Sequence, residues 1–301
     1  MTRHIAVLGA PSSIGVGPYD DGEVRHLDRT PSVLRNRGIV GRLGAIDMGD
    51  VVPPPYRDYE RPASRPRNEA QLVEYSRALG ARVASAIRGG QFGVVLGGDC
   101  SVVLGCLLGA RRAVRGPLGL AYVDAHADFA TMEESRTGSV AGMGLALACG
   151  RGDSPLARLA GRTPLVSARH VALLGRRDAG RAWHGHAALA RSPILDLSDN
   201  ELMTRAVGDL SADALARVGQ NVAGFWIHLD ADVLNPAVMR AVDRPEPGGP
   251  TPDELVALLK PLVDHPAALG LSLAVYDPAL DPDRSGARQL VSLIEELLAR
   301  R

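Results

Sequence analysis

Asp124-Ala-His126-Ala-Asp128 follows directly on the apolar run Leu118-Gly-Leu-Ala-Tyr-Val123, and Asp230-Ala-Asp232 follows Gly224-Phe-Trp-Ile-His-Leu229. Both runs have the length and apolar content of buried strands in a parallel sheet, which ends its strands at a ligand crevice. Residues two apart in a strand share a face. On that reading Asp124, His126 and Asp128 project together, as do Asp230 and Asp232. Carboxylates gathered in this way without a cation would repel one another or take up protons. The pattern therefore predicts a divalent-metal site at the ends of two strands.

Working outward, apolar runs of strand length alternate with helical patterns. Strands are expected at Ile5–Leu8, Gly93–Leu96, His170–Leu174 and Leu269–Val275, beside the two already named. Leu72, Leu79, Val83 and Ile87 have helical spacing, and Gly89-Gly90 stops them. Further helices are expected at Val102–Val114, near Gly142–Cys149, near Ala179–Leu189, from Ser211 as cap to Val218, and from Gly286 to Arg301. Thr251-Pro-Asp-Glu254 is a capping box with proline at the first helical position, so a helix should run to about Val263. Such alternation predicts an α/β fold: one three-layer α/β/α domain over residues 1–301, with a central parallel sheet. The Pro-rich stretch Val51–Arg67 reads as a surface loop within it.

Composition narrows the function. A hydrophobic content of 46% and a charged content of 23% permit a sizeable core. The formal net charge of zero gives no reason to expect nucleic acid or an anionic membrane as partner. No stretch reaches the ~18 apolar residues of a membrane span. Three scattered cysteines, Cys100, Cys106 and Cys149, do not make a disulfide framework. With no long apolar signal region at the N-terminus, they point to a reducing, cytoplasmic setting.

The motifs in order resemble the ureohydrolase superfamily of arginases and agmatinases, whose fold is shared with the zinc deacetylases. The resemblance is carried by Gly9-Ala-Pro11, Pro31-Ser-Val-Leu-Arg35, Gly97-Gly-Asp-Cys-Ser101, Asp124-Ala-His-Ala-Asp128 and His228-Leu-Asp-Ala-Asp-Val-Leu-Asn-Pro236, and spans nearly the whole chain. It implies that Asp124 and Asp230 bridge two metals. Asp128 and residue 100 would complete the first, and His126 and Asp232 the second. It further implies that a metal-activated hydroxide attacks a guanidinium or amidine carbon, with Asp128 holding that hydroxide and handling its proton. A homo-oligomer, trimeric or hexameric, and a small-molecule substrate are implied as well.

The departures bear on the activity. Where the family has a metal-binding histidine this chain has Cys100, a soft donor that shifts preference toward zinc or iron and away from manganese. As a ligand it completes a two-metal site. As a neutral thiol it leaves Asp124, His126 and Asp232, a set resembling the single-zinc deacetylases. Ala141 stands at the catalytic histidine of the family, Val275 at the glutamate that pairs with guanidinium, and Ala130 at a substrate-binding asparagine. The lost glutamate removes the charge-assisted bidentate contact most specific for guanidinium. Asp277, two residues on from Val275, is a candidate substrate-binding group.

His228, on the same strand face as Asp230, is a candidate acid–base residue or a support for the ligands, set against a plain structural role. Cys106 and Cys149 read as core residues, and His184 and His186 as structural. The glycines of Pro245-Glu-Pro-Gly-Gly249 read as a turn. Two function classes follow. One is a metal-dependent hydrolase of a non-peptide C–N bond, acting on an amidine, guanidino compound or amide and not an ordinary arginase. The other is a catalytically degenerate protein that keeps the fold for binding or scaffolding. Retention of five of the six ligands that the resemblance implies favours chemistry, and loss of the three positions that handle guanidinium and its leaving group favours a changed or lost activity.

Overall fold

The computed structural model describes residues 4–57, 62–161, 163–178 and 185–299. Among them the strands are β1 His4–Gly9, β2 Ile46–Asp50, β3 Gln91–Leu96, β4 Leu118–Val123, β5 Val171–Leu174, β6 Leu195–Leu197, β7 Gly224–Asp230 and β8 Ala268–Ala274. They form one parallel sheet in the order β2-β1-β3-β8-β7-β4-β5-β6. The order reverses direction along the sheet, so β3, β8, β7 and β4 lie side by side in its middle. Strands there are covered on both faces, which is why they read as continuous apolar runs.

Alternate residues feed two cores. Val7, Val94, Val123 and Leu229 pack with the Val207–Gly219, Pro252–Asp264 and Ser285–Leu298 helices. Leu8, Val95, Tyr122 and Trp226 pack on the other face with the Glu69–Arg88, Val102–Ala113 and Gly144–Ala148 helices. The architecture is the expected three-layer α/β/α. No described helix is long and apolar enough to cross a membrane.

Local signals placed most elements well. The Thr251 capping box forms, with Thr251 Oγ1 accepting from Glu254 N at 3.3 Å and Glu254 Oε2 accepting from Thr251 N at 2.8 Å. Ser211, expected as a cap, lies inside a helix that begins at Val207. Its hydroxyl lies 2.9 Å from Val207 O and 2.8 Å from Leu258 O, the alternative that serine has to capping. The edge strands β2 and β6 were not foreseen. β2 (Ile46-Asp-Met-Gly-Asp50) is largely exposed and β6 has three residues, so neither shows the apolar run of a central strand. The helix expected near Ala179–Leu189 lies partly outside the described residues, as does His184; its described part is His186–Ala190.

Candidate active site

The site forms at the C-terminal ends of β3, β4 and β7. β4 and β7 pair in register, with Val123 opposite Leu229, so the residues that follow, Asp124 and Asp230, emerge side by side. From there the geometry departs from the expected pleat. β4 ends at Val123, and Asp124 Oδ1 accepts from the backbone N–H of His126 at 2.6 Å. Asp230 closes β7, and its Oδ1 accepts from Asp232 N at 2.8 Å. Two aspartate turns, not an extended strand, bring the alternate side chains together. Asp128 has φ +46°, a conformation aspartate tolerates better than most residues. Its carbonyl accepts from Leu145 N and Ala146 N at 3.1 Å each, which anchors it to the next helix.

Cys100 arrives from β3 through a tight fit. A side chain at Gly98 would collide with Ser12 O at 1.7 Å, so only glycine lets the two backbones approach there. Buried Asp99 accepts from Gly15 N at 3.0 Å and Ser101 N at 2.9 Å, tying the end of β3 to the loop after β1. This leaves residue 100 facing the aspartates, with Sγ 2.8 Å from Asp230 Oδ2.

The six candidate ligands are thus brought together. Donor atoms of Cys100, Asp124 and Asp128 lie within 4.8 Å of one another, as do those of Asp124, His126 and Asp232. His126 Nδ1 stands 2.9 Å from Asp232 Oδ2. Burial, then the neighbouring carboxylates, holds Asp124 and Asp230 well above the usual carboxylate range. Burial pushes Asp128 up to about 7, against the lowering effects of Tyr122 and His126. The Cys100 thiol is raised well above its ordinary value by burial and by Asp230, Asp128 and Asp124. Burial alone would lower His126, but Asp232 and Asp124 outweigh it and hold it high. Asp124 Oδ2 is buried without a hydrogen-bond partner among the described residues. Such an atom, amid carboxylates that cannot all ionise together, fits a cation-binding centre.

Cys100, His126, Asp128, Asp230 and Asp232 line a cavity of about 670 Å³ whose wall also includes Phe129, Ala130, Ala141, Asp178 and Val275. Val275 has φ +66°, a strained conformation for a β-branched residue, held by its N–H donating to Gly98 O at 2.8 Å. Two proposed site residues are not brought to this cavity. His228 is fully buried, stacks at 4.7 Å on Tyr122, and pairs through Nδ1 with Ser272 Oγ at 2.9 Å. Burial pushes it down to about 3, so it is a neutral ring inside the sheet layer, away from the cavity wall. Asp277 accepts from Tyr19 Oη at 2.9 Å, His26 N at 3.0 Å and Ala279 N at 2.9 Å. Those bonds turn it toward the loop it secures, and it does not line the cavity. Of the cysteines read as core, Cys106 is buried and Cys149 partly so.

Sequence reading missed four groups. Tyr122, in an apolar run, donates from Oη to Asp128 Oδ2 at 2.6 Å. Asp178, in a polar segment without a metal spacing, is buried in the cavity wall. Arg177 lies outside every motif, and Glu246 lies in Pro245-Glu-Pro-Gly-Gly249, where only the glycines were assigned a part. A signal existed only for Glu246, an acidic residue within the Gly-rich turn.

Glu134 braces the cavity rim. It accepts from Arg151 Nη1 and Nη2 at 2.8 and 2.9 Å and from Thr131 N at 2.9 Å, and Arg151 foremost lowers it to about 2. A carboxyl depressed on folding stabilises the native state above its unfolded value, and that stability is lost as pH falls through the folded value. Glu134→Gln should therefore cost about 1 kcal/mol near pH 7. The difference from wild type should shrink from about pH 4.5 and vanish near pH 2, as followed by urea unfolding across that range.

The profile of the arginase family matches residues 4–299. An arginase from Brevibacillus brevis is 29% identical over 303 residues, covering 99% of this chain and 98% of that one. An arginase from Bacillus caldovelox is 30% identical over 295 residues, covering 95% and 97%. The solved structure of arginase from Bacillus caldovelox superposes with a TM-score of 0.88 at 27% identity, covering 100% of this chain and 99% of that one. The chain belongs to the arginase family. It is thereby a ureohydrolase-like hydrolase.

Proposed function

We propose that the protein hydrolyses a non-peptide C–N bond of a small molecule other than arginine, with divalent metal held by Cys100, Asp124, His126, Asp128, Asp230 and Asp232. One observation supports this reading: five of the six groups, Cys100, His126, Asp128, Asp230 and Asp232, line one cavity with Val275 and Ala141 in its wall, and Asp124 lies among their donor atoms. A cation held by these residues would lower the pKa of water and stabilise charge on the heteroatoms of a tetrahedral intermediate. The protein's own groups do the rest. Asp128 takes and returns a proton at its carboxylate, with Tyr122 fixing the orientation of that carboxylate. Phe129 and Val275 offer apolar surface to the substrate, and Asp178 offers a buried carboxylate to a donor group. Val275 cannot pair with a guanidinium, and Ala141 cannot protonate a leaving amine. The first absence costs roughly 2 kcal/mol for a charged hydrogen-bonded contact. The second removes on the order of 10²-fold or more in rate. A substrate whose scissile group is neutral, or whose leaving group needs no protonation by a side chain, suits this wall.

The test is a turnover assay of protein loaded with manganese or zinc against guanidino acids and amines, amidines and amides. Release of urea, ammonia or free amine would be followed. Metal-dependent hydrolysis of a non-arginine substrate is expected, with arginine at least about 10²-fold slower. Arginine turned over as well as any other compound would sink the substrate assignment. A chelator-insensitive rate would sink the chemistry.

A further inference from the structure

Glu246 lies on the turn that follows Asp230-Ala-Asp232, and its side chain is buried. Its Oε1 stands 3.6 Å from Nε2 of His126. The other ring nitrogen, Nδ1, faces 2.9 Å from Asp232 Oδ2 and 3.5 Å from Asp124 Oδ1. The imidazole therefore sits between the clustered aspartates on one side and a single carboxylate outside the cluster on the other. An imidazole donates a lone pair from one nitrogen while the other carries the proton. A carboxylate facing the protonated nitrogen selects that tautomer, fixes the ring and makes it a stronger donor.

The placement of Glu246 is built into the fold. Arg177 donates from Nε to Glu246 O at 3.2 Å, from Nη1 to Val233 O at 2.9 Å, and from Nη2 to Asp232 O at 2.7 Å. One guanidinium thus ties the backbone of the turn carrying Asp232 to that of the turn carrying Glu246. Gly249, at φ +92°, lets the second turn fold back: a side chain there would meet Val233 O at 2.5 Å. Its N–H donates to Asp199 Oδ1 at 3.2 Å, which secures the far side. Arg177 and Gly249 together explain why an acidic residue in a Gly-rich turn is buried against His126 and does not reach solvent.

We propose that Glu246 is a positioning residue that holds His126 with Nδ1 turned toward the metal group and strengthens it as a ligand. The proposal rests on reading the cluster as a metal site. It adds a charge-bearing support that belongs to this chain's own turn sequence, Pro245-Glu-Pro-Gly-Gly249.

Metal-free wild type, Glu246→Gln and Glu246→Ala would each be titrated calorimetrically with zinc chloride and with manganese chloride. In Glu246→Ala one binding event is expected to weaken by roughly 10–100-fold, the usual loss when such a support is removed. Glu246→Gln should recover part of that loss, because its amide oxygen still faces Nε2–H across the same short gap but lacks the charge. Both variants should melt as wild type does when metal-free. The cobalt(II)-loaded form supplies a readout that a role in folding alone would leave unmoved: its visible ligand-field absorption should shift in Glu246→Ala. Variants that bind both metals as wild type does would overturn the role of Glu246 and leave the metal site standing. Weakened binding with an unchanged cobalt spectrum would also overturn it. Wild type that takes up neither metal would overturn the site and this inference together.

Discussion

Asp128→Asn should abolish turnover, lowering kcat by about 10³-fold or more, while the protein folds and melts as before. The expectation comes from where the residue sits. Burial pushes Asp128 up to about 7, and the Tyr122 hydroxyl and His126 act against that rise. A carboxylate placed among the candidate metal donors and held by the Tyr122 hydroxyl can accept a proton and return it in one cycle. Asparagine keeps the shape and the hydrogen bond from Tyr122 but cannot carry a proton. The effect on rate should exceed the effect on metal content, since the second candidate group, Asp124, His126 and Asp232, does not include Asp128. Tyr122→Phe gives the graded control. Removing the hydroxyl 2.6 Å from Asp128 Oδ2 withdraws a bond that favours the ionised form, so the carboxyl pKa should rise. The acid limb of the rate profile should then move to higher pH, with kcat falling by about 10-fold, two orders less than the loss expected for Asp128→Asn. Steady-state kinetics from pH 5 to 9 measure both. Wild-type kcat in Asp128→Asn would show that the proton moves elsewhere.

Legibility in the sequence followed burial. β3, β4, β7 and β8 are central strands of a parallel sheet, and their apolar runs announced them. β2 and β6 are edges, where one side needs no covering and no apolar run is required. The floor of the site was legible because chemistry constrained it: Asp124, His126, Asp128, Asp230 and Asp232 share a spacing that core packing does not produce. That spacing named residues that the fold brings together for a different reason, since aspartate turns and not a pleat direct them. The supports were less legible. Tyr122 looks like any aromatic residue in a buried strand, and only the fold shows that its hydroxyl clears the sheet to reach Asp128. His228 shows the converse. Its parity with Asp230 was read correctly, yet β4 and β8 lie against β7 and enclose the ring between Tyr122 and Ser272. Asp277 was near Val275 in sequence, but Val275 has a left-handed backbone, and the chain turns so that Asp277 meets Tyr19 and His26. Contacts between residues far apart in the chain, such as those of Arg177, leave no periodic trace.

Cys100→Ala should lower the metal content from two equivalents per chain to one, as read by elemental mass spectrometry of protein purified without added metal. The two groups of donors share Asp124, but only one of them contains Sγ of residue 100. Deleting the thiol removes a donor from that group and leaves Asp124, His126 and Asp232 intact. Cys100 is also the group that makes metal choice differ from an all-nitrogen-and-oxygen site. A thiolate donor widens the preference for zinc over manganese, so wild type should lose zinc more slowly than Cys100→His in dialysis against manganese. The thiol enters with its proton. Burial and the surrounding carboxylates hold it well above its ordinary range, and its Sγ lies 2.8 Å from Asp230 Oδ2. Ionisation must then accompany cation uptake, releasing a proton, so that zinc affinity should increase with pH more steeply in wild type than in Cys100→Ala. Two equivalents retained in the variant would exclude Cys100 as a ligand. A single equivalent in both proteins would leave a one-metal site on Asp124, His126 and Asp232, in which Cys100 serves only to pack beneath Asp230.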